Sequence, residues 1–283
     1  MSRPLTVTAV QLDWRPPGTG QVERTASLAA AALQDGADLV LLPELAVPGY
    51  TTEPDLLEQF AEPLDGPSVT AWREAAAAGG GYVAGGFCER AGAQIFNSAV
   101  IVGSDGVVLH YRKAHLFGAE RQVLAPGDSG FGVVATSVGV LGLCVCYDLR
   151  FVEVTRLLAL QGAELVCVPT AWIGGYDVAG PADAGVPGQV TGLLVQANLN
   201  QVFIAAASFT GSDGRQDFLG SSVIADPYGI AVAGPLPRDR EGMLTRVIDL
   251  DTAGTAQRRS ELIRPRADRR RDLYAIEHNG HRY

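Results

Sequence analysis

Three side chains with reactive chemistry, Glu44, Lys113 and Cys146, each follow a short apolar stretch of the chain. Glu44 comes directly after Leu-Val-Leu-Leu-Pro at 39–43, and Cys146 comes after Val-Leu-Gly-Leu-Cys-Val at 140–145. Short apolar runs of this kind predict buried strands, and ligand sites in α/β sheets gather at strand ends. We therefore expect the three side chains to converge on one cavity.

Lys113 is the only lysine among the 22 lysine and arginine residues of the chain. A compositional bias towards arginine would explain a single lysine without giving it any function. Lysine carries a compact ammonium, however, whereas arginine carries a wide planar guanidinium, so the two are not interchangeable at a tight site. The position of Lys113 between a strand-end glutamate and a strand-end cysteine favours a catalytic role.

A thiol, a carboxylate and an ammonium together form a complete set for acyl transfer. A nearby base and a nearby cation both favour the thiolate, which is the nucleophilic form of cysteine. We expect Glu44 to be the base, with its pKa raised by burial, and Lys113 to stabilise the oxyanion of a tetrahedral intermediate. Neither His110 nor His115 has a better claim to the base. Taken singly, each residue has a structural alternative, such as a helix-capping carboxylate or a cysteine packed in the core.

The elements that must position these residues alternate between β-rich runs and helical stretches. Strands are predicted at 5–12, 38–42, 82–87, 97–102, 106–111, 138–146, 165–169, 202–207, 221–225 and 243–250. Helices are predicted at 21–34, 67–78 and 152–161, and a further helix ends at 193–200. The alternation predicts an α/β layered domain, and the hairpin at 97–111 indicates a mixed sheet. The Gly/Pro-rich stretch 174–188 is predicted to be a long surface loop.

Composition limits the classes of partner that the protein can have. The net charge of −9 and the pI of about 4.9 argue against nucleic acid or an anionic membrane as the main partner. We see no apolar stretch long enough for a membrane span or a signal peptide. The four cysteines lie in strand-like runs, which is typical of a cytoplasmic protein with reduced thiols. The chain has four histidines, and it has neither HExxH nor CxxC spacing, so we expect no metal. We expect no cofactor either.

The residues around the three reactive side chains resemble the motifs of the nitrilase (carbon–nitrogen hydrolase) superfamily, in its amidase-like branch. The family's glutamate motif matches Leu-Leu-Pro-Glu at 41–44, followed by Pro-Gly-Tyr at 48–50. Its lysine motif matches Tyr-Arg-Lys-Ala-His-Leu at 111–116. Its cysteine motif matches Gly-Leu-Cys-Val-Cys-Tyr-Asp-Leu-Arg-Phe at 142–151. The motifs occur in the family's order, and the resemblance runs from about residue 7 to residue 274.

This resemblance implies a role for each candidate residue. The catalytic cysteine falls on Cys146 and not on Cys144. A second family glutamate, which positions the substrate and hydrogen-bonds the lysine, matches Glu120 upstream of Pro-Gly-Asp at 126–128; an ordinary loop carboxylate is the alternative. The candidate catalytic residues are Glu44, Lys113, Glu120 and Cys146, and the candidate substrate-binding residues are Tyr50, Tyr147 and Trp172.

The resemblance also implies a four-layer αββα sandwich with mixed sheets. It implies a homodimer, formed through the helices outside the sheets, in which the C-terminal segments interlock. We accordingly expect residues 1–258 to form the hydrolase domain and residues 259–283 to be a C-terminal extension that packs on a partner subunit. Seven arginines cluster between 258 and 271, and this packing explains them more simply than binding of an acidic partner does.

Several amides remain open as substrates. Tyr147-Asp148 after the cysteine is the amidase pattern of the family, whereas nitrilases carry Trp-Glu there. Family hydrolases of carbamoyl amino acids often use paired arginines at this point, where this chain has only Arg150. The helix at 194–200 and the segment 172–188 depart from the family pattern, so the substrate is least predictable there. We expect a small neutral aliphatic amide. An ω-amidase or N-carbamoyl amide hydrolase is the alternative, and a catalytically silent binding protein is the alternative of a different class.

Overall fold

The computed structural model describes residues 2–175 and 185–283. Within these residues the chain forms two large mixed β-sheets. The first sheet consists of β1 (Pro4–Asp13), β2 (Leu39–Leu41), β3 (Tyr82–Ala91), β4 (Gln94–Gly103), β5 (Gly106–Arg112), β10 (Phe209–Thr210) and β13 (Gly242–Asp249). Its spatial order is β10-β1-β2-β3-β4-β5, and β13 pairs with the residues of β1 that do not pair with β10. The second sheet, in the order β12-β11-β9-β8-β7-β6, consists of β6 (Val133–Thr136), β7 (Gly139–Leu143), β8 (Leu165–Pro169), β9 (Phe203–Ala207), β11 (Val223–Ala225) and β12 (Ala231–Ala233).

Helices cover the outer face of each sheet. The described helices are α1 (Gln21–Gln34), α2 (Pro54–Phe60), α3 (Pro67–Gly79), α4 (Glu120–Val123), α5 (Val152–Leu160), α6 (Gly188–Asn200) and α7 (Asp251–Ala256), with a 3₁₀ helix at Cys146–Arg150. Helices α1 and α3 pack on the first sheet, and α5 and α6 pack on the second. The order of layers is therefore helix, sheet, sheet, helix, as predicted.

The buried strands are apolar on both faces because each sheet lies between two layers. Leu39 and Leu41 of β2 point into the core between the sheets, and Val40 points to the helices. In β8 of the second sheet, Cys167 likewise lies between the sheets and Val166 lies under the helices. Side chains alternate along a strand, so a strand buried on both faces reads as a continuous apolar run. This is why the apolar runs predicted these two strands well.

The ends of four strands meet at one place. Strands β1, β2 and β3 are parallel, while β4 and β5 continue the first sheet as antiparallel neighbours. Strands β7 and β8 are parallel in the second sheet. Consequently β2 and β5 end at one edge of the first sheet, and β7 and β8 end together in the second. The residues that follow these four ends carry the predicted chemistry.

Several element bounds differ from the sequence predictions. The strand predicted at 138–146 ends at Leu143, because Cys146 begins the 3₁₀ helix. The hairpin strands are longer than predicted, and the short elements α2, α4, β6, β10 and β12 were not predicted. Of the loop predicted at 174–188, residues 176–184 lie outside the described part of the chain, and Gly188 begins α6. The predicted strands divide between the two sheets, with β11 in the second sheet and β13 in the first.

The C-terminal extension contacts the body of its own chain. The Arg266 guanidinium donates hydrogen bonds to the carbonyl oxygens of Ala159, Asn200 and Gln201. The extension ends in a small hairpin of β14 (Glu277–His278) and β15 (His281–Arg282). Packing on a partner subunit remains a prediction. In the part of the chain that is described, no helix combines the length and apolarity that crossing a membrane requires.

Candidate active site

Glu44 lies in the turn that follows β2, pressed against the neighbouring strand. Its backbone N–H donates to the carbonyl oxygen of Thr170, the residue after β8, at 3.3 Å, so the turn ties the two sheets together. Gly86 of β3 passes directly beneath this turn. A Cβ at Gly86 would lie 2.6 Å from the Leu45 nitrogen and 2.7 Å from the Glu44 Cα. Glycine is therefore needed there to leave room for the backbone that carries Glu44.

Lys113 continues β5 by one residue. Its N–H donates to the Asn97 carbonyl of β4 at 2.8 Å, and its own carbonyl accepts from the Gly127 N–H at 2.8 Å. A Cβ at Gly127 would lie 2.0 Å from the carbonyl oxygen of Arg112, which no side chain could tolerate. The Pro-Gly-Asp segment at 126–128 thus packs on the backbone of the lysine, and this contact explains its glycine.

The Lys113 ammonium lies between two buried carboxylates. Its Nζ is 2.6 Å from Oε1 of Glu44, and it is 3.0 and 2.8 Å from Oε1 and Oε2 of Glu120. The side chains of all three residues are at most 1% exposed. Hydrogen-bonded ion pairs of this kind are strong and directional, so the positions of the three charges are fixed. The group thus places two buried carboxyl groups around one buried amino group.

Additional donors contact the carboxylates of both Glu120 and Glu44. The Tyr50 hydroxyl donates to Oε1 of Glu120 at 3.1 Å, and the Phe117 N–H donates to Oε2 at 2.8 Å. The Asn97 amide donates to Oε1 of Glu44 at 2.8 Å and to Oε1 of Glu120 at 3.2 Å. Buried charges are tolerated when hydrogen bonds and ion pairs compensate them, as they do here.

Cys146 lies at the start of the 3₁₀ helix in a rare backbone conformation. Its φ is 46°, in the left-handed region that residues other than glycine seldom adopt. Such strain costs about 1–3 kcal/mol and is concentrated at functional sites. The strained turn presents Cys146 to the cavity, whereas Cys144 is fully buried in the core under α5 and α6.

Asp148 holds this strained turn in place. Its buried carboxylate accepts hydrogen bonds from the Val145 N–H at 3.0 Å and the Tyr111 hydroxyl at 2.8 Å. It also accepts from the His115 N–H at 3.0 Å and contacts His115 Nδ1 at 2.8 Å. Tyr111 and His115 flank Lys113 in the sequence. Asp148 therefore joins the segment of the lysine to the segment of the cysteine.

A narrow cavity of about 20 Å³ lies where these segments meet. It is lined by Glu44, Tyr50, Lys113, Phe117, Cys146, Tyr147, Ala171, Trp172 and Ile173. A second cavity of about 30 Å³ shares Cys146 and Trp172 with the first, and it extends to Leu149, Arg150, Gln189, Gly192 and Leu193. Cys146 thus stands at the wall between a cavity that holds the buried charges and a cavity bounded by α6.

The burial of the site sets its ionisation. Burial raises the pKa of Glu44, and the Glu120 carboxylate adds to the rise while the Lys113 ammonium opposes it. Burial also raises the pKa of the Cys146 thiol, to which the Glu44 charge adds. For Lys113, burial would lower the pKa, but Glu120 and Glu44 outweigh it and raise the pKa above its ordinary value. The lysine therefore stays an ammonium, and the thiol keeps its proton until a base removes it.

The structure brings every predicted site residue to one place. Six of the seven line the cavity directly: Glu44, Tyr50, Lys113, Cys146, Tyr147 and Trp172. The seventh, Glu120, lies behind the cavity lining and hydrogen-bonds two of its residues, Lys113 and Tyr50. Two residues with structural importance at the site were not predicted, namely Asn97 and Asp148. Asn97 had a signal in the sequence, since an asparagine in an apolar strand is unfavourable without a polar partner.

Comparisons with known proteins agree with this geometry. A family model described as Carbon-nitrogen hydrolase matches residues 6–258. The chain is 32% identical to an (R)-stereoselective amidase of Pseudomonas sp over 264 residues, which cover 93% of this chain and 91% of that protein. It is also 32% identical to omega-amidase NIT2 of Xenopus tropicalis over 288 residues, which cover 96% of this chain and 97% of that protein.

A solved structure adds chemical information about a relative. It is a mutant of the amidase from Nesterenkonia sp. AN1, and it shows the Michael addition of acrylamide at the active site cysteine of that protein. The TM-score is 0.76 at 26% identity, and the match covers 95% of this chain and 98% of that chain. From the family match, the relatives and the shared fold, the chain belongs to the carbon–nitrogen hydrolase family of the nitrilase superfamily, as its three motifs indicated.

Proposed function

We propose that this protein is an amidase that hydrolyses small neutral aliphatic carboxamides to a carboxylic acid and ammonia. One observation carries the proposal: Cys146 lines the same narrow cavity as the buried ion pair of Glu44 and Lys113. A nucleophile, a base and a fixed cation around one small space meet the geometric needs of acyl transfer. The amidases among its relatives support the reaction class.

In the proposed first step, Glu44 accepts the proton of the Cys146 thiol as the sulfur attacks the amide carbonyl. The C–S bond forms, and the π electrons of the carbonyl move to its oxygen. The base is needed because the raised pKa of the thiol leaves little thiolate beforehand. The Lys113 ammonium and the backbone N–H of Tyr147 stabilise the oxyanion, a contribution that is typically worth about 10²–10³-fold in rate for each donor.

In the second half of the cycle, the tetrahedral intermediate collapses and the C–N bond breaks. Glu44 returns its proton to the leaving nitrogen, and ammonia departs from a thioester on Cys146. Glu44 then takes a proton from water as the water oxygen attacks the thioester. As this second intermediate collapses, the C–S bond breaks and Glu44 returns its proton to the sulfur, which releases the carboxylic acid and regenerates the thiol. Glu120 positions the amide and holds the lysine, a role consistent with its two contacts to the ammonium.

The walls of the cavity support a small, neutral substrate. Tyr50, Tyr147 and Trp172, which we propose as the substrate-binding residues, surround the sulfur together with Phe117 and Ile173. The charges in this cavity are already paired with one another, which leaves an aromatic and aliphatic surface for an uncharged group. A primary carboxamide could contact the charged residues through its polar end and the aromatic walls through its acyl chain.

A second candidate function is ω-amidase activity, and one observation favours it. Arg150 lines the adjoining cavity on the other side of Cys146 and Trp172. A guanidinium in that position could pair with a carboxylate at the far end of an acyl chain. The same reasoning keeps N-carbamoyl amino acids among the compounds to test, because they also carry a carboxylate.

The release of ammonia from a panel of compounds tests the proposal. The panel contains acetamide, propionamide, glutaramate, a carbamoyl amino acid and a nitrile. We expect the highest kcat/KM for acetamide or propionamide, and no turnover by Cys146→Ala. A preference for glutaramate would move the assignment to ω-amidase. No hydrolysis of any compound by the folded wild type would indicate a binding protein instead, and activity retained by Cys146→Ala would refute the mechanism.

We also propose that residues 1–258 form the catalytic domain of a cytoplasmic homodimer. Residues on α5, on α6 and in the extension 259–283 expose large apolar side chains, with exposed fractions between 50% and 91%: Val152, Val195, Leu199, Leu262 and Leu273. Val152 and Leu199 line one surface hollow together with Tyr274 of the extension, and exposed apolar surface of this kind is typical of a protein interface. Light scattering should give the mass of a dimer, and Leu199→Asp should lower it to that of a monomer.

A further inference from the structure

Asn97 donates hydrogen bonds to both carboxylates of the site. Its Nδ2 lies 2.8 Å from Oε1 of Glu44 and 3.2 Å from Oε1 of Glu120, and the residue is completely buried. The backbone carbonyl oxygen of Asn97 also accepts a hydrogen bond from the backbone N–H of Lys113. Asn97 is thus the one residue in the described part of the chain that hydrogen-bonds all three charged residues.

The amide of Asn97 can face the carboxylates in only one orientation. A rotated amide would present its oxygen to two anionic oxygens, which would repel it. In the observed orientation, Oδ1 is buried and receives no hydrogen bond from any described residue. A buried acceptor without a donor costs stability. The chain keeps this cost at a position where a leucine or valine would suit an apolar strand, which indicates that the N–H groups serve the site.

Two like charges in one buried site would normally force one of them to take up a proton. Among the described residues, the titratable groups that interact with Glu44 from the elements packed against it are Tyr50, Lys113, Glu120 and Cys146. Of these, Lys113 alone carries a positive charge, and Glu44 shares it with Glu120. The amide of Asn97 supplies donors to both carboxylates without adding a charge of its own.

We propose that Asn97 is a positioning residue that keeps Glu44 in its ionised, proton-accepting form beside Glu120. This role rests on the proposed function, in which Glu44 is the general base. It also gives a reason for the geometry around Glu44, because Asn97 and Lys113 both donate to Oε1. The other oxygen, Oε2, receives no hydrogen bond from the described residues and is left for the thiol proton.

The pH dependence of kcat/KM tests this role directly. In Asn97→Leu, which keeps the branched shape and removes the amide, the acidic limb should move to higher pH by about one to two units, because a hydrogen bond to a charged group has been lost. Asn97→Ala should shift the limb in the same direction, and it keeps the test valid if leucine prevents folding. A purely structural role would lower kcat or the melting temperature and leave the limb in place.

Ser98→Ala is the matched control, because it removes a buried hydrogen bond from the next residue of the same strand. The Ser98 hydroxyl donates to Glu89, away from the three charged residues, at 2.5 Å. This variant should be less stable but should keep the acidic limb of the wild type. If the acidic limb of kcat/KM lies at the same pH in the wild type and in both Asn97 variants, the proposal is overturned.

A second readout separates this proposal from the amidase assignment. Iodoacetamide alkylates cysteine whether or not the protein hydrolyses amides, and peptide mapping gives the rate at Cys146 alone. If Glu44 draws the proton from the thiol, the alkylation rate should decrease as the pH is lowered. In the Asn97 variants this decrease should begin at a higher pH than in the wild type. A protein without amidase activity that still shows this shift would refute the proposed function only. An unchanged profile in an active amidase would refute the role of Asn97 only.

Discussion

The ammonium of Lys113 lies 2.6 Å from Oε1 of Glu44, and both residues are at most 1% exposed. The same oxygen also accepts from Asn97, whereas Oε2 receives no hydrogen bond from the described residues. The two oxygens of one carboxylate therefore have different environments. Oε1 holds the side chain in place, and in the proposed mechanism Oε2 takes the proton of Cys146.

Lys113→Arg should lower kcat/KM by about 10²-fold or more, as expected when an oxyanion contact is lost. The guanidinium is too wide for the space between the two carboxylates and would displace the oxyanion donor. Arg112→Lys is a matched control, since it makes the reverse exchange at the neighbouring residue, which binds Glu89. This control should stay within about tenfold of the wild type. A Lys113→Arg enzyme with nearly full activity would show that no compact ammonium is required.

The wild-type pH profile should have an acidic limb above the pKa of an ordinary glutamate. Burial raises the pKa of Glu44 from 4.5, and the base is lost when pH falls through the raised value. Lys113 should cause no loss of activity on the alkaline side below about pH 10, since its own pKa is raised. The measurement is kcat/KM for a neutral amide between pH 4 and pH 10. A limb at or below 4.5 would be incompatible with a buried general base.

Gly86→Ala should impair catalysis more than stability. The added Cβ would collide with the backbone of Glu44 and Leu45, and a displacement of about 1 Å at a catalytic group can cost about 10²-fold in rate. Gly85→Ala is the control, because its Cβ would meet side-chain atoms of Trp72 and Leu42 in the core instead. That variant should lower the melting temperature and keep most of kcat. The opposite pattern would show that the turn does not position Glu44.

Glu89 should make the fold sensitive to acid. Burial alone would raise its pKa, but hydrogen bonds from His110, Arg112 and Ser98 outweigh burial and lower the pKa to about 2. A depressed pKa stabilises the fold above the unfolded value near 4.5, and this contribution is lost as pH falls from there towards 2. Glu89→Gln should cost about 2–3 kcal/mol at neutral pH and weaken the pH dependence of unfolding. Urea titrations at pH 7 and pH 3 measure both effects, and equal losses at the two pH values would contradict this assignment.

The resemblance to the family was sufficient to predict the four layers, and the sequence was sufficient to predict which candidate side chains meet at one cavity. Helix α1 and strand β8 have the predicted bounds, because strong periodicity and a continuous apolar run mark them. Glu44, Lys113 and Cys146 were recognisable because each follows a strand, and strand ends meet in this architecture. The short strands β10 and β12 were not recognisable, since two or three residues carry too little pattern and their pairing is decided by the rest of the sheet.

Other features depend on contacts between distant parts of the chain. The positive φ of Cys146 is held by Asp148, whose carboxylate contacts Tyr111 and His115 more than 30 residues away. Asn97 meets its carboxylate partners across 53 and 23 residues, so no local pattern could assign its role. On the other side of Cys146, the second cavity is lined by Trp172 and by residues of α6, where the sequence departs from the family pattern, and residues 176–184 lie outside the described part of the chain. The substrate therefore remains a proposal.

The mass of the enzyme during turnover tests the central claim most directly. Protein mixed with propionamide and quenched in acid within milliseconds should carry one added propionyl group, and peptide mapping should place that group on Cys146. The Cys144→Ala variant should show the same adduct, because Cys144 is buried away from the cavity. The Cys146→Ala variant should show no adduct and no ammonia release. An acyl group on another residue, or ammonia release by Cys146→Ala, would contradict a thioester mechanism at Cys146.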